Sequence, residues 1–294
     1  MEDASDQSGP VQATMIASTD RPIGVFDSGI GGLAVLQELK RELPQERFIY
    51  VADSGFAPYG DKSNHAIIER AQRCAQFLLE QGAKALVIAC NTATAAAVAE
   101  LRERYAVPII GMEPGIKPAV QRTRTGKIGV LVTRGTALSE KYARLMSAYA
   151  NVAQIVTQPC PGLVERIEAG ALEQPQTYEL LADYVSPLLA QGVDTLVLGC
   201  THYCWLRPQI QRLNSHVQII DTSRPVALQL RRRLAENRQL AASERMETAA
   251  LWTSGEQDRL YCLLESLHRP VRPILDGPLR QGEFYFSGLL EGVS

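Results

Sequence analysis

The sequence predicts an α/β protein built from two similar parallel-sheet domains. The second domain is inserted in the first, and the active site lies in the cleft between them. Three observations predict this. Short β-rich apolar runs alternate with helical periodicity, the pattern of a parallel sheet with crossover helices. One segment occurs twice: Q-G-A-K-A-L-V-I-A-C-N-T from Gln81 and Q-G-V-D-T-L-V-L-G-C-T-H from Gln191, 110 residues apart. Two further pairs support a duplication. V-P-I-I-G from Val107 precedes V-Q-I-I-D from Val217 at the same offset, and I-G-V-F-D-S-G from Ile23 matches I-G-V-L-V-T-R-G from Ile128 at an offset of 105.

The elements follow in order. Ile23–Phe26 is the first expected strand, and Leu33–Leu43 a helix stopped by Pro44. Arg47–Ala52 is the next strand. Asn64–Gln81 is a helix with Ser63 as N-cap, ended by Gly82. Ala85–Ala89 is a buried strand, followed by a helix to Arg104 and a strand over Pro108–Gly111. The Pro/Gly-rich passage Met112–Pro118 reads as a crossing between domains. The series then restarts: strand Lys127–Val132, helix Ser139–Ala150, strand Val152–Val156, helices up to Gln191, strand Thr195–Leu198, helix to Leu213, strand Val217–Ile220. Asp221–Pro225 reads as the return crossing. A long helix, a strand over Thr248–Thr253 and a helix from about Glu256 then complete the first domain, because a half-domain could not bury both faces of a parallel strand. The expected division is residues 1–20 as a disordered extension, 21–115 with 224–294 as the first domain, and 116–223 as the second.

Composition excludes several roles. The 294 residues suffice for two cores, and 46% of them are hydrophobic. A net charge of −2 carries no nucleic-acid signature. Arg231, Arg232 and Arg233 form the one basic run and read as a solvated helix face. No apolar run approaches a membrane span of roughly 18 residues. The first residues are acidic where a signal peptide is basic. The six cysteines show no disulfide-scaffold spacing, so free thiols in a reducing, cytoplasmic compartment are expected.

Cys90 and Cys200 occupy the same point of each repeat, after an apolar strand and before a helix. Ligands of open α/β sheets bind at such carboxyl ends. A helix N-terminus is expected to favour thiolate over the free pKa of about 8.5. Two equivalent thiols suit a reaction that treats left and right alike. Cys200, His202 and Cys204 could instead ligate a metal, but the first repeat offers no matching ligands. Gly29-Ile-Gly31-Gly-Leu-Ala34 matches a dinucleotide loop, yet Asp27 and Ser28 put a carboxylate beside the would-be pyrophosphate. Pro58-Tyr59-Gly60 could offer backbone amides to an anion. Cys74, Cys160 and Cys262 read as structural, without polar partners.

The motifs F-D-S-G-I-G-G-L (26–33), P-Y-G (58–60), A-C-N-T-A (89–93), T-R-G-T (133–136), L-V-E (163–165) and G-C-T-H (199–202) occur in order. Together they resemble the glutamate racemases of the cofactor-independent aspartate/glutamate racemase superfamily, from about Ile23 to Leu267. The resemblance implies interconversion of L- and D-glutamate without pyridoxal phosphate or metal, supplying D-glutamate for peptidoglycan. It implies Cys90 and Cys200 as the catalytic thiols, Cys90 serving D-glutamate and Cys200 L-glutamate. It implies substrate contacts at Asp27, Ser28, Tyr59, Gly60, Asn91, Thr92, Thr133, Thr136, Glu165, Thr201 and His202. The family usually has an apolar residue and then proline after G-C-T-H; here Tyr203-Cys204-Trp205 follows, so the local helix start is in question. Some relatives are activated by UDP-N-acetylmuramoyl-L-alanine near the hinge, which directs attention to Arg102, Gly111, Glu113 and Lys117. Rival expectations are a racemase for aspartate or a related acid, and a non-catalytic regulator that binds DNA gyrase.

Overall fold

The computed structural model describes residues 18–242, 249–267, 271–272 and 285–290. Residues 1–17 of the expected extension, and Thr248 at the start of an expected strand, lie outside them; Ser18–Asp20 form a 3₁₀ turn. In chain order, the first half runs β1 (Ile23–Asp27), α1 (Leu33–Glu42), β2 (Phe48–Ala52), α2 (Asn64–Glu80), β3 (Ala85–Ile88), α3 (Asn91–Arg104), β4 (Ile109–Ile110) and α4 (Ile116–Arg122). The chain continues with β5 (Lys127–Val132), α5 (Arg134–Ala137), α6 (Glu140–Ser147), β6 (Gln154–Pro159), α7 (Leu163–Glu168), α8 (Pro175–Ala190) and β7 (Thr195–Leu198). It closes with α9 (Arg207–Leu213), β8 (Gln218–Ile220), α10 (Ser223–Glu236), β9 (Ala249–Thr253), α11 (Gln257–Ser266), β10 (Val271–Arg272) and β11 (Tyr285–Leu290).

These strands form two sheets. One has the order β10-β11-β9-β2-β1-β3-β4, the other β6-β5-β7-β8. The duplication is visible in the pairing itself. Ile23 to Phe26 pair with Ala85 to Ile88, and Ile128 to Leu131 pair with Thr195 to Leu198. Leu86 and Val87 pair with Ile109 and Ile110, as Leu196 and Val197 pair with Ile219 and Ile220. Packing repeats too. A methyl on Gly24 would meet Leu78 and Leu86, and one on Gly129 would meet Leu188 and Leu196, the counterparts at the 110-residue offset. Strands buried on both faces leave no room for a side chain where a crossover helix lies this close.

The sheets differ at one edge. β9 pairs parallel with β2 and antiparallel with β11, so the chain after α10 rejoins the larger sheet. Among the described residues, the antiparallel pair β10 and β11 has no counterpart in the smaller sheet, and no strand was expected there. Ser63 caps α2 through the Ala66 N–H, as expected. Two bounds moved. β6 starts at Gln154, not Val152, because a turn closed by the Val152 and Ala153 N–H groups on the Tyr149 carbonyl extends past α6. Val152 is exposed, so an apolar residue there imitated a strand start. The passage expected as a linker, Met112–Pro118, already holds the first turn of α4.

Candidate active site

β3 and β7 each end one residue before a short step to cysteine. Ala89 N–H donates to the Phe26 carbonyl and Gly199 N–H to the Leu131 carbonyl, both at 2.8 Å. Each ladder therefore delivers its thiol at the same height. Cys90 (φ −142°, ψ 120°) and Cys200 (φ −139°, ψ 137°) share one extended conformation. Both are buried, and Cys200 lies close enough to raise the Cys90 thiol through its charge.

Beyond that point the copies diverge. Cys90 Sγ accepts the Ala93 N–H at 3.4 Å and caps α3. Ser28 Oγ lies 3.9 Å away and the Asp27 carboxyl is adjacent. After Cys200 comes a 3₁₀ segment, Thr201–Leu206, and α9 starts only at Arg207-Pro208. Proline is favourable in a first turn and unfavourable inside a helix, so it sets the start of α9 there. Cys200 thus lacks a side-chain cap bond; its sulfur lies 3.8 Å from His202 Nδ1, and His202 Nε2 lies 2.6 Å from Glu168 Oε1.

Electrostatics follow this divergence. Burial pushes the Cys90 thiol well above the usual cysteine range, and Asp27 adds to it; the Ala93 N–H offsets only part. This corrects the expectation that the helix N-terminus would lower it: desolvation outweighs one amide and the helix dipole. Burial alone would lower the His202 imidazole, but its hydrogen bonds to Cys200 and Glu168 prevail and hold it well above its ordinary value. Burial raises the Asp27 carboxyl, against the pull of His202, Cys90 and the Ser28 and Gly32 amides.

The glycine loop is the seam between the sheets. Asp27 accepts the Ser28 N–H at 2.7 Å and the Gly32 N–H at 2.5 Å, so a carboxylate of the chain itself sits where a dinucleotide loop would hold phosphate. Glu168 reaches across to accept the Ile30 N–H at 2.9 Å. A Cβ on Gly29 would fall 1.8 Å from Glu168 Oε1, and one on Gly31 2.5 Å from His202 Nδ1. Only glycine permits so close an approach. Thr201 Oγ1 donates to Asp27 Oδ2 at 3.2 Å and completes the seam.

The other expected contacts distribute as follows. Thr92, Thr133 and Thr136 form a buried hydroxyl triangle with edges of 2.9, 3.3 and 3.0 Å, joining α3 to α5 across the sheets. Neither amide atom of buried Asn91 has a hydrogen-bond partner among the described residues, which leaves it available to a ligand. Tyr59 is buried, but its hydroxyl donates to Asp53 at 2.5 Å, so the loop presents backbone rather than phenol. Gly60 packs against Thr133. Glu165 is exposed and lines a neighbouring pocket of about 690 Å³ with Pro58, Ser254 and Arg259; the carboxylate that reaches the thiol region is Glu168. Glu165 precedes Glu168 by one turn of α7. Leu163, Val164 and Ile167 mark the buried stripe of α7, and Glu168 lies on it.

Of the hinge residues, Arg102 is committed to the Ile109 carbonyl by two hydrogen bonds of 3.2 and 3.0 Å. Glu113 pairs with Lys141 at 2.9 Å, Gly111 packs against Thr94, and Lys117 is exposed on α4. His202 engages Cys200 and Glu168, and among the described residues Cys200, His202 and Cys204 form no group placed to hold a metal ion. Cys160 Sγ donates to the Gln158 carbonyl at 3.3 Å, a polar partner the sequence reading did not expect; all six thiols are free. Among the described residues, no helix is long and apolar enough to cross a membrane.

Comparison with known proteins places this geometry. A glutamate racemase of Ectopseudomonas mendocina is 54% identical over 248 residues, 84% of this chain and 94% of that one. The crystal structure of a glutamate racemase isoform from Bacillus anthracis superposes with a TM-score of 0.78 at 32% identity, covering 89% of this chain and all of that one. The Escherichia coli glutamate racemase, solved with L-glutamate and the activator UDP-MurNAc-Ala, has a TM-score of 0.74 at 30% identity over 83% of this chain and 94% of its own. The Asp/Glu/Hydantoin racemase family model matches residues 23–229, which include both repeats and both thiols, and the chain belongs to that family.

Proposed function

We propose that this chain interconverts L- and D-glutamate by two-thiol proton transfer and so supplies D-glutamate for peptidoglycan in the cytoplasm. The carrying observation is the pair of buried cysteines that follow equivalent strands at one seam. One sulfur, as thiolate, takes the α-proton. The electron pair of the broken C–H bond moves into the carboxylate, which gains enolate character. The other thiol gives its proton to the opposite face, and the two sulfurs exchange protonation states. Asn91 and the hydroxyls of Thr92, Thr133, Thr136 and Thr201 are suited to stabilise the developing charge. Asp27 and Ser28 stand beside Cys90, while His202, held by Glu168, stands beside Cys200.

Residues 21–115 with 224–294, and 116–223, act in this reading as two domains that close on the amino acid and exclude water. An activator such as the UDP-MurNAc-Ala seen with the Escherichia coli relative would bind near Glu113 and Lys117, where the Glu113–Lys141 pair spans the crossing. Incubating purified protein with L-glutamate in D₂O, without added cofactor, tests the reaction. Loss of optical rotation together with deuterium at the α-carbon is expected. Unchanged rotation and no deuteration would refute it.

A further inference from the structure

Outside the thiol pair, one carboxylate that the mechanism does not use gathers four donors. Asp53 follows β2 and is fully buried. Its Oδ1 accepts from Arg70 Nη2 at 2.6 Å and from Ser254 Oγ at 2.5 Å. Its Oδ2 accepts from Arg70 Nε at 2.9 Å and from the Tyr59 hydroxyl at 2.5 Å. Four donors fill the acceptor sites of a carboxylate. They come from α2, from the loop after β2 and from the end of β9. The Asp53 N–H in turn donates to the Asp27 carbonyl at 2.9 Å, which links this cluster to the seam. Arg70 also stacks over Phe56, 3.7 Å from the ring centroid, inside the same loop.

A buried ion pair is a poor source of net stability, since apolar replacements often serve as well. What a filled, bidentate pair supplies is geometry. Here the geometry concerns one wall of the cleft. With its phenol turned inward to Asp53, Tyr59 fixes the backbone of Gly60. A Cβ on Gly60 would lie 3.0 Å from Thr133 Cβ, and the Gly60 carbonyl oxygen lies 2.9 Å from where a Cβ on Gly135 would be. The loop therefore meets the other sheet beside the Thr92–Thr133–Thr136 triangle, at a spacing that tolerates little shift.

We propose that Asp53 and Arg70 are positioning residues that hold the 54–61 loop as the substrate-facing wall of the cleft, setting substrate affinity without taking part in proton transfer. The role rests on the glutamate racemase reading for its substrate, and its first test is independent of that reading. Arg70→Ala should raise amide hydrogen exchange in residues 54–61 while α1 and α3 keep wild-type protection. In turnover, kcat/KM for glutamate should fall on the order of 10²-fold, the effect of a wall displaced by about 1 Å. The loss should lie mainly in KM, with the pH profile of kcat unchanged because neither thiol is touched. Free guanidinium ion at sub-denaturing concentration should restore part of KM; sodium chloride at equal ionic strength should not. Tyr59→Phe removes one of the four bonds and keeps the ring, so it should show a several-fold KM rise even if Arg70→Ala fails to fold. Wild-type loop protection in Arg70→Ala, or a wild-type KM in Tyr59→Phe, would overturn the role. So would a loss confined to kcat with a shifted pH profile. An inactive wild type with the expected exchange pattern would instead refute the glutamate reading and leave the clamp standing.

Discussion

The two halves of the molecule share a backbone register and differ in what surrounds the sulfur. Around Cys90 stand a carboxyl, a hydroxyl and a capping amide. Around Cys200 stands an imidazole whose far nitrogen is held by a buried carboxylate. The two repeats keep the place of each thiol and differ in the groups beside it. A reaction symmetric overall does not need symmetric groups. It needs two acids that can each become the other's conjugate base, and local charge can prepare them in opposite starting states.

Removing either sulfur breaks the comparison most severely. Cys90→Ser and Cys200→Ser should each lower racemisation on the order of 10²–10⁴-fold, the usual cost of a lost general acid or base. Circular dichroism should remain that of the wild type. A glutamate analogue with a leaving group on the β-carbon eliminates after one proton abstraction, so it needs one thiol. Cys90→Ser should still eliminate from the L-analogue and Cys200→Ser from the D-analogue. Near wild-type racemisation by either variant would end the two-thiol account.

A subtler change separates the neighbourhoods. Enantiomers have equal free energy in achiral water, so kcat/KM in the two directions must remain equal in every variant. Asymmetry therefore has to be sought in elimination. His202→Asn should slow elimination from the L-analogue on the order of tenfold or more, within the range for a perturbed acid/base group. Elimination from the D-analogue should stay within a few-fold of wild type. Equal losses would show that His202 serves the whole cleft and not one sulfur.

The smallest effect is on stability. The His202 imidazole is held above its unfolded value of about 6.5. Its stabilising contribution is thus fully present below that pH and is lost as pH rises through the folded value. Thermal unfolding followed from pH 6 upward should show wild type losing its advantage over His202→Asn. A constant gap between the two curves would contradict a protonated His202 in the folded state.

Much of this arrangement was legible from residue patterns. Strand ends, the inserted repeat and both cysteines follow from periodicity and a 110-residue self-match. The bounds of β5 and β7 agree with the sequence reading to the residue. What escaped was long-range. Glu168 meets Ile30 across 138 positions, and Ser254 meets Asp53 across 201. No local period encodes such contacts. The α7 stripe could have singled out Glu168, had burial been weighed over the motif. The fate of the Cys90 thiol was misjudged for a related reason: a sequence displays the helix that follows, but not the depth at which the sulfur is buried. The antiparallel pair β10 and β11 escaped because neither strand falls in a run with a clear period.

The carboxylate of Asp27 inside the glycine loop has a wider consequence. Loops of this shape attract phosphate because their amides converge on empty space. Here the space is taken by the chain's own carboxyl group, covalently tethered. Nucleotides and sugar phosphates, however abundant around the protein, find no vacant cradle there. The glycine loop turns its amides on a carboxyl group of its own chain.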